Sequence, residues 1–179
     1  MADAYISLDS VAAINGNTLR ALIASFHLPH LAREMLVRYG LPADPEPGHW
    51  YPLQAWLDVL SELELFYGEH TVYPVGLQII STSVWPTHIA TLEQALRALD
   101  ESCRLNVQGK TIGYYRVEGE YPRQMVVECL TPTPVSFECG IITGLAREFK
   151  PADSLRVQVR QQNIPLDASP LLKRFVVKW

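Results

Sequence analysis

The stretch LEQALRALDESCRLNVQGKTIGYYRVEGEYPRQMVVECL, residues 92–130, decides the fold. Its first part spaces Leu92, Ala95, Leu96, Leu99 and Cys103 three and four apart, the apolar stripe of one helix. Thr91 and Gln94 form the matching capping box, in which each side chain satisfies a backbone N–H the helix start leaves open. Near residue 110 the apolar period shortens from helical to pleated. Ile112 to Glu118 reads as a strand and Gln124 to Leu130 as its hairpin partner, with the turn over Glu118-Gly-Glu-Tyr-Pro122.

Upstream, helical stripes repeat. Asn17 is positioned to cap a helix carrying Leu19, Leu22, Ile23 and Phe26. Pro29 opens a second helix, with Leu31, Met35 and Leu36, which Gly40 and Pro42 stop. Pro52 starts a third with Leu53, Trp56, Leu57, Leu60 and Leu63, closed by Gly68. Residues 71–80 make a fourth, with Pro74 in its first turn. Downstream, Thr131-Pro-Thr-Pro134 ends the hairpin. A helix from Val135 to Phe149 then puts Phe137, Ile141, Leu145 and Phe149 on one stripe. Gly140 and Gly144 share a face of it, which predicts close backbone approach to the sheet or to a ligand. Leu155, Val157 and Val159, and then Phe175, Val177 and Trp179, alternate with polar or smaller residues as half-buried strands. The order is helices, hairpin, helix, two strands. We expect one α+β domain over 1–179, with a helical part at 1–108 and a sheet part at 109–179.

Bulk properties narrow the function. A net charge of −4 lacks the basic excess that phosphate neutralisation requires, so no nucleic-acid partner is expected. No apolar run approaches the roughly 18 residues of a membrane span. The N-terminus carries Asp3 where a signal peptide would be basic, which points to the cytoplasm. Cys103, Cys129 and Cys139 form no C-x-x-C and are expected as buried thiols, not a disulfide framework or a metal site. His27, His30, His49, His70 and His88 fall in no metal-ligand spacing. There is no nucleophile elbow, phosphate loop or dinucleotide fingerprint, so no enzyme is expected. Glu128 and Glu138 read as lone exposed carboxylates. Arg156, Arg160, Arg174 and Lys178 read as the wet outer face of the last strands. The aromatic cluster Trp50, Tyr51, Trp56, Phe66, Tyr67, Tyr73 and Trp85 is core packing, or in part the lining of an apolar cavity between helices and sheet.

Two stretches carry a resemblance. Leu92-Glu-Gln-Ala-Leu-Arg-Ala-Leu-Asp100 leads to Arg104-Leu-Asn-Val107. Met125-Val-Val-Glu-Cys-Leu-Thr-Pro-Thr-Pro134 runs into Phe137-Glu-Cys-Gly-Ile-Ile-Thr-Gly-Leu-Ala-Arg-Glu-Phe149. With Trp50-Tyr-Pro-Leu-Gln-Ala-Trp-Leu57 and the closing Phe175-Val-Val-Lys-Trp179, they resemble the vinyl-reductase-type small-ligand-binding domains, typically bacterial, and the related heme-nitric-oxide-binding domains. The resemblance implies a helical N-terminal half packed on a four-stranded antiparallel sheet, with a crossing helix between its two hairpins. It implies sensing of aromatic compounds, gases or tetrapyrroles; the related TRAPP vesicle-tethering subunits are protein–protein adaptors.

The chain departs from both families. The stretch 161–170 lacks the paired metal cysteines. Cys129-Leu-Thr-Pro-Thr133 stands where the heme family has Tyr-x-Ser-x-Arg. The expectation is therefore no resident cofactor, with heme or another tetrapyrrole held by His88 as an alternative. The expected ligand-binding residues are Trp85, His88, Leu99, Cys103, Tyr115, Met125, Val127, Cys129, Phe137 and Ile141. The expected role is a non-enzymatic sensor of an apolar small molecule that signals through a homodimer or a partner protein. An adaptor with a filled core and no ligand is the other reading.

Overall fold

The computed structural model describes residues 5–165 and 167–179, with Glu120 known by its backbone alone. The N-terminal part holds β1 (Ala13–Asn15), α1 (Gly16–Ser25), α2 (Pro29–Arg38), β2 (Trp50–Pro52), α3 (Leu53–Tyr67) and α4 (Val72–Thr82). The middle holds α5 (Leu92–Arg97), α6 (Leu99–Asn106) and β3 (Val107–Gln108). The C-terminal part is β4 (Tyr114–Tyr121), β5 (Gln124–Leu130), α7 (Val135–Glu148), β6 (Gln158–Gln162) and β7 (Leu172–Lys178). The architecture is α+β. An antiparallel four-stranded sheet in the order β4-β5-β7-β6 has α7 crossing between its two strand pairs. A second, three-stranded sheet in the order β2-β1-β3 ties the two ends of the helical part together; its strands are too short to show a period in sequence.

Local chemistry moves several boundaries. Asn15, not Asn17, caps α1; its side chain accepts the Asn17 N–H at 2.9 Å. The capping box on Thr91 and Gln94 forms as expected, but the helix behind it breaks at Ala98 into α5 and α6. Strand β4 runs on to Tyr121, so the turn falls on Pro122 and Arg123, with Arg123 at φ 62°. The Arg123 side chain donates to the Trp179 carbonyl, to both Asp153 oxygens and to Ser154 Oγ, which fastens that turn to the end of the chain. Strand β6 begins at Gln158, three residues later than expected; Leu155 is wholly exposed.

The core lies between the sheet and the helices. Trp56 of α3 meets Phe137 of α7 edge to face, ring centroids 6.1 Å apart, a geometry worth about 0.5–1.5 kcal/mol beyond burial alone. Helices α4 and α7 touch backbone to backbone. A Cβ on Gly76 would collide with the Phe137 carbonyl oxygen, and one on Gly140 with that of Tyr73. The close approach expected of Gly140 and Gly144 is therefore made to α4, not to the sheet or a ligand. Of the expected aromatic cluster, Trp56 is fully buried, whereas Trp50, Phe66 and Tyr67 are exposed. Among the described residues no helix is long and apolar enough to cross a membrane.

Candidate functional site

Between α6, α7 and the inner face of the sheet the packing leaves a cavity. About 80 Å³ is open to the centre of a water-sized molecule, within about 660 Å³ of space free of protein atoms, its mouth included. The open volume of about 80 Å³ is well below the roughly 300–1,000 Å³ of organic-ligand pockets, so the space is narrow. Its apolar walls are Leu53 and Trp56 of α3, Ile79 of α4, Leu99 of α6, Ile112, and Phe137 and Ile141 of α7, with Trp85 on the loop after α4. Helical spacing explains the convergence. Phe137 and Ile141 are one turn apart on α7, as are Leu99 and Cys103 on α6, so each helix presents two neighbouring side chains to the gap.

Six expected residues line this cavity: Trp85, Leu99, Cys103, Tyr115, Phe137 and Ile141. Four do not. Met125, Val127 and Cys129 point inward from β5 but are consumed by the packed core. His88 is exposed on the loop after α4 and lines no part of the cavity, and the other four histidines are exposed too. No group of three or more metal-ligating side chains converges among the described residues.

The sequence reading missed a polar pole. Glu138, expected as an exposed carboxylate, is 1% exposed and lines the cavity. Its Oε2 accepts from the Tyr115 hydroxyl at 2.7 Å; its Oε1 accepts from Thr131 Oγ1 at 2.8 Å and from Thr133 Oγ1. Lys173 of β7, 4% exposed, lies beneath and donates to the Thr131 carbonyl (2.6 Å), to Thr131 Oγ1 (3.2 Å) and to the Leu171 carbonyl (3.2 Å). Thr131 and Thr133 stand at the positions compared with the Ser and Arg of Tyr-x-Ser-x-Arg, and both hydroxyls bond to Glu138. The signals were periodic: Glu138 is in phase with Ile141, Ile142 and Leu145, and Lys173 with Phe175 and Val177.

Burial, and then the Glu138 and Asp100 charges, push the Cys103 thiol up to about 12, so it is a neutral thiol at ordinary pH. Burial, with the facing Glu138, raises Tyr115 well above its ordinary value. Burial lowers Lys173, and the Glu138 charge opposes the shift. Next to Cys103, Asn106 and Ser102 of α6 grip the Val84 backbone. Asn106 accepts the Val84 N–H at 2.9 Å and donates to its carbonyl at 2.7 Å, which also accepts from Ser102 Oγ at 3.2 Å. Trp85 follows directly and donates to the Ile79 carbonyl at 3.4 Å.

An antiparallel sheet roofed by helices, with a cavity walled by the helices before and after the first hairpin, places the chain in a defined class of α+β domain. Compared with solved structures, that class is the H-NOX fold. An oxygen-binding H-NOX domain related to soluble guanylate cyclases, solved as its oxygen complex, superposes at a TM-score of 0.68 and 16% identity, each chain covered to 91%. A variant of the T. tengcongensis H-NOX gives 0.63 and 15%, over 90% of this chain and 92% of that one. A structure concerned with heme redox potential and protein-induced porphyrin distortion gives 0.65 and 17%, over 90% and 89%. No family model and no curated protein matches the chain. The likeness is one of fold. It corrects one expectation, that of no resident cofactor: solved structures that share this architecture are described by their heme, through its redox potential and its distortion.

Proposed function

We propose that this chain is a sensory domain of H-NOX type that binds a prosthetic group of the heme class in the cavity between α6, α7 and the sheet. The observation that carries the reading is Cys103: it sets a sulfur donor into an apolar cavity, in a fold whose solved neighbours hold heme. The lining suits an apolar group in two respects, its mostly apolar walls and this one sulfur, but the open volume of about 80 Å³ does not hold a heme as it stands. The lining does not fit an imidazole ligand, because every histidine lies outside the cavity. His88 is accordingly set aside as the iron ligand in favour of Cys103. A heme held there would supply an iron able to take a small gas.

The chain's own part is to position and shield. Leu99, Phe137 and Ile141 exclude water. Glu138 keeps carboxylate arms away from its end. Cys103 would be the residue to hold the iron, as its thiolate. Only about 80 Å³ is open, so a group the size of a heme would need the cavity walls to move apart. The domain is non-enzymatic in this reading and passes its state to a partner protein or a second copy.

The test is titration of the purified protein with hemin, followed by absorption. The wild type should give a stoichiometric Soret band, Cys103→Ser should shift or abolish it, and His88→Ala should leave it unchanged. Absence of binding by the wild type sinks the reading. A band lost in His88→Ala but kept in Cys103→Ser sinks the assignment of the ligand.

A further inference from the structure

At one end of the cavity every donor hydrogen is already spent. The Tyr115 and Thr131 hydroxyls donate to Glu138, and the Thr133 hydroxyl has only Glu138 and Thr131 Oγ1 as acceptors. The Lys173 ammonium has three hydrogens and three acceptors, Thr131 O, Thr131 Oγ1 and Leu171 O, and does not line the cavity. What faces the space is acceptor capacity. A carboxylate offers about four lone-pair sites, of which three are taken, and the Tyr115 and Thr133 oxygens keep lone pairs of their own. Among the described residues no lysine, arginine or histidine lines the cavity, and Glu138 is the one ionisable carboxylate that does.

We propose that the Glu138 end of the cavity is a donor-selective subsite, which takes the end of a small apolar ligand carrying an ammonium or N–H group and turns away a carboxylate. An incoming ammonium finds an open Glu138 lone pair plus two hydroxyl oxygens and leaves none of its own buried polarity unpaired. An incoming carboxylate finds no hydrogen to accept and a buried negative charge in front of it, the costly outcome for a desolvated ion. Lys173 offsets part of the Glu138 charge from below; its hydrogens face away, so it offers an anion no bond. The inference rests on the cavity proposed above and adds the chemistry of one of its ends.

Three guests of similar shape separate the possibilities: benzylamine, toluene and benzoate, each titrated into methyl-labelled protein and read by NMR at Ile79, Leu99 and Ile141. Benzylamine should bind at least about tenfold more tightly than toluene, the worth of one hydrogen bond to a charged group, and benzoate should not bind. Glu138→Gln should bring benzylamine down to the level of toluene. Should that variant fail to fold, Tyr115→Phe serves instead: it frees a further Glu138 lone pair and should keep or raise the preference for the amine. Benzoate binding as tightly as benzylamine overturns the proposal, as does a preference untouched in Glu138→Gln. If none of the guests moves the cavity methyls while hemin still binds through Cys103, the subsite falls and the cavity reading stands. If neither hemin nor any guest binds, both fall.

Discussion

Replacing Gly140 by alanine adds one methyl group at the point where α4 and α7 are in backbone contact. Alone on a helix the change would stabilise, by about 1 kcal/mol of propensity. Here the new Cβ would stand 2.9 Å from the Gly76 Cα and 3.1 Å from its carbonyl carbon, and would collide with the Tyr73 carbonyl oxygen. None of these atoms can rotate away, so the helices must separate along their length. Overpacking of this kind costs about 1–3 kcal/mol, and with rigid neighbours the upper end applies. Subtracting the propensity gain leaves a net loss of about 2 kcal/mol, which at about 2–4 °C per kcal/mol for a chain of this size lowers Tm by about 4–8 °C. Calorimetry and urea unfolding should agree, with a lower midpoint and an unchanged m-value. Gly144→Ala is the control. Its Cβ meets the Ile80 side chain at 2.7 Å and the Leu77 carbonyl oxygen at 3.1 Å, and Ile80 can adjust, so its loss should be the smaller of the two. Wild-type or higher stability in Gly140→Ala would show that the two helices are not held at backbone contact.

Two further outcomes follow from the site. The Cys103 thiol is raised from 9.0 to about 12 by burial, and Cys129 and Tyr115 are raised by burial as well. The unfolded chain therefore releases these protons at a lower pH than the folded one, so stability present below about pH 9 is lost as pH rises. Lys173, lowered by burial, pulls weakly the other way. The urea midpoint should fall between pH 9 and pH 10.5, less steeply in Cys129→Ala; a midpoint flat over that span contradicts the burial of these groups. Separately, Asn106→Ala removes two bonds to the Val84 backbone and leaves its N–H without a partner, a loss of about 1–3 kcal/mol. Amide exchange at Val84 should accelerate ahead of exchange in α6; equal protection in the variant and the wild type would refute the clamp.

The change of rhythm near residue 110 was enough to separate the helical half from the sheet, because stripes such as Leu53–Leu63 and alternations such as Phe175–Trp179 are set by neighbouring residues alone. Boundaries fixed by distant partners were not legible. Asn15 caps α1 only because β1 delivers it there, and β4 extends to Tyr121 because β5 offers it a partner. The cavity followed the same division. Trp85, Leu99, Cys103, Tyr115, Phe137 and Ile141 could be drawn from apolar faces. Glu138 and Lys173 were passed over because charged residues are read as exposed, although both sit in phase with buried neighbours. His88 was chosen for its nearness to Trp85 along the chain, and the loop turns the two residues to different surroundings.

The grip of Asn106 and Ser102 on Val84 has a practical consequence. The helix that offers Cys103 to the cavity also anchors the backbone from which the Trp85 indole springs, and that ring borders both the interior space and an outer crevice lined by Leu77, Ile80 and Phe149. Loading or emptying the interior should therefore change the emission of a ring that already borders the outside. Under the proposed reading that ring, together with Trp56 on the same cavity, would report occupancy without labels.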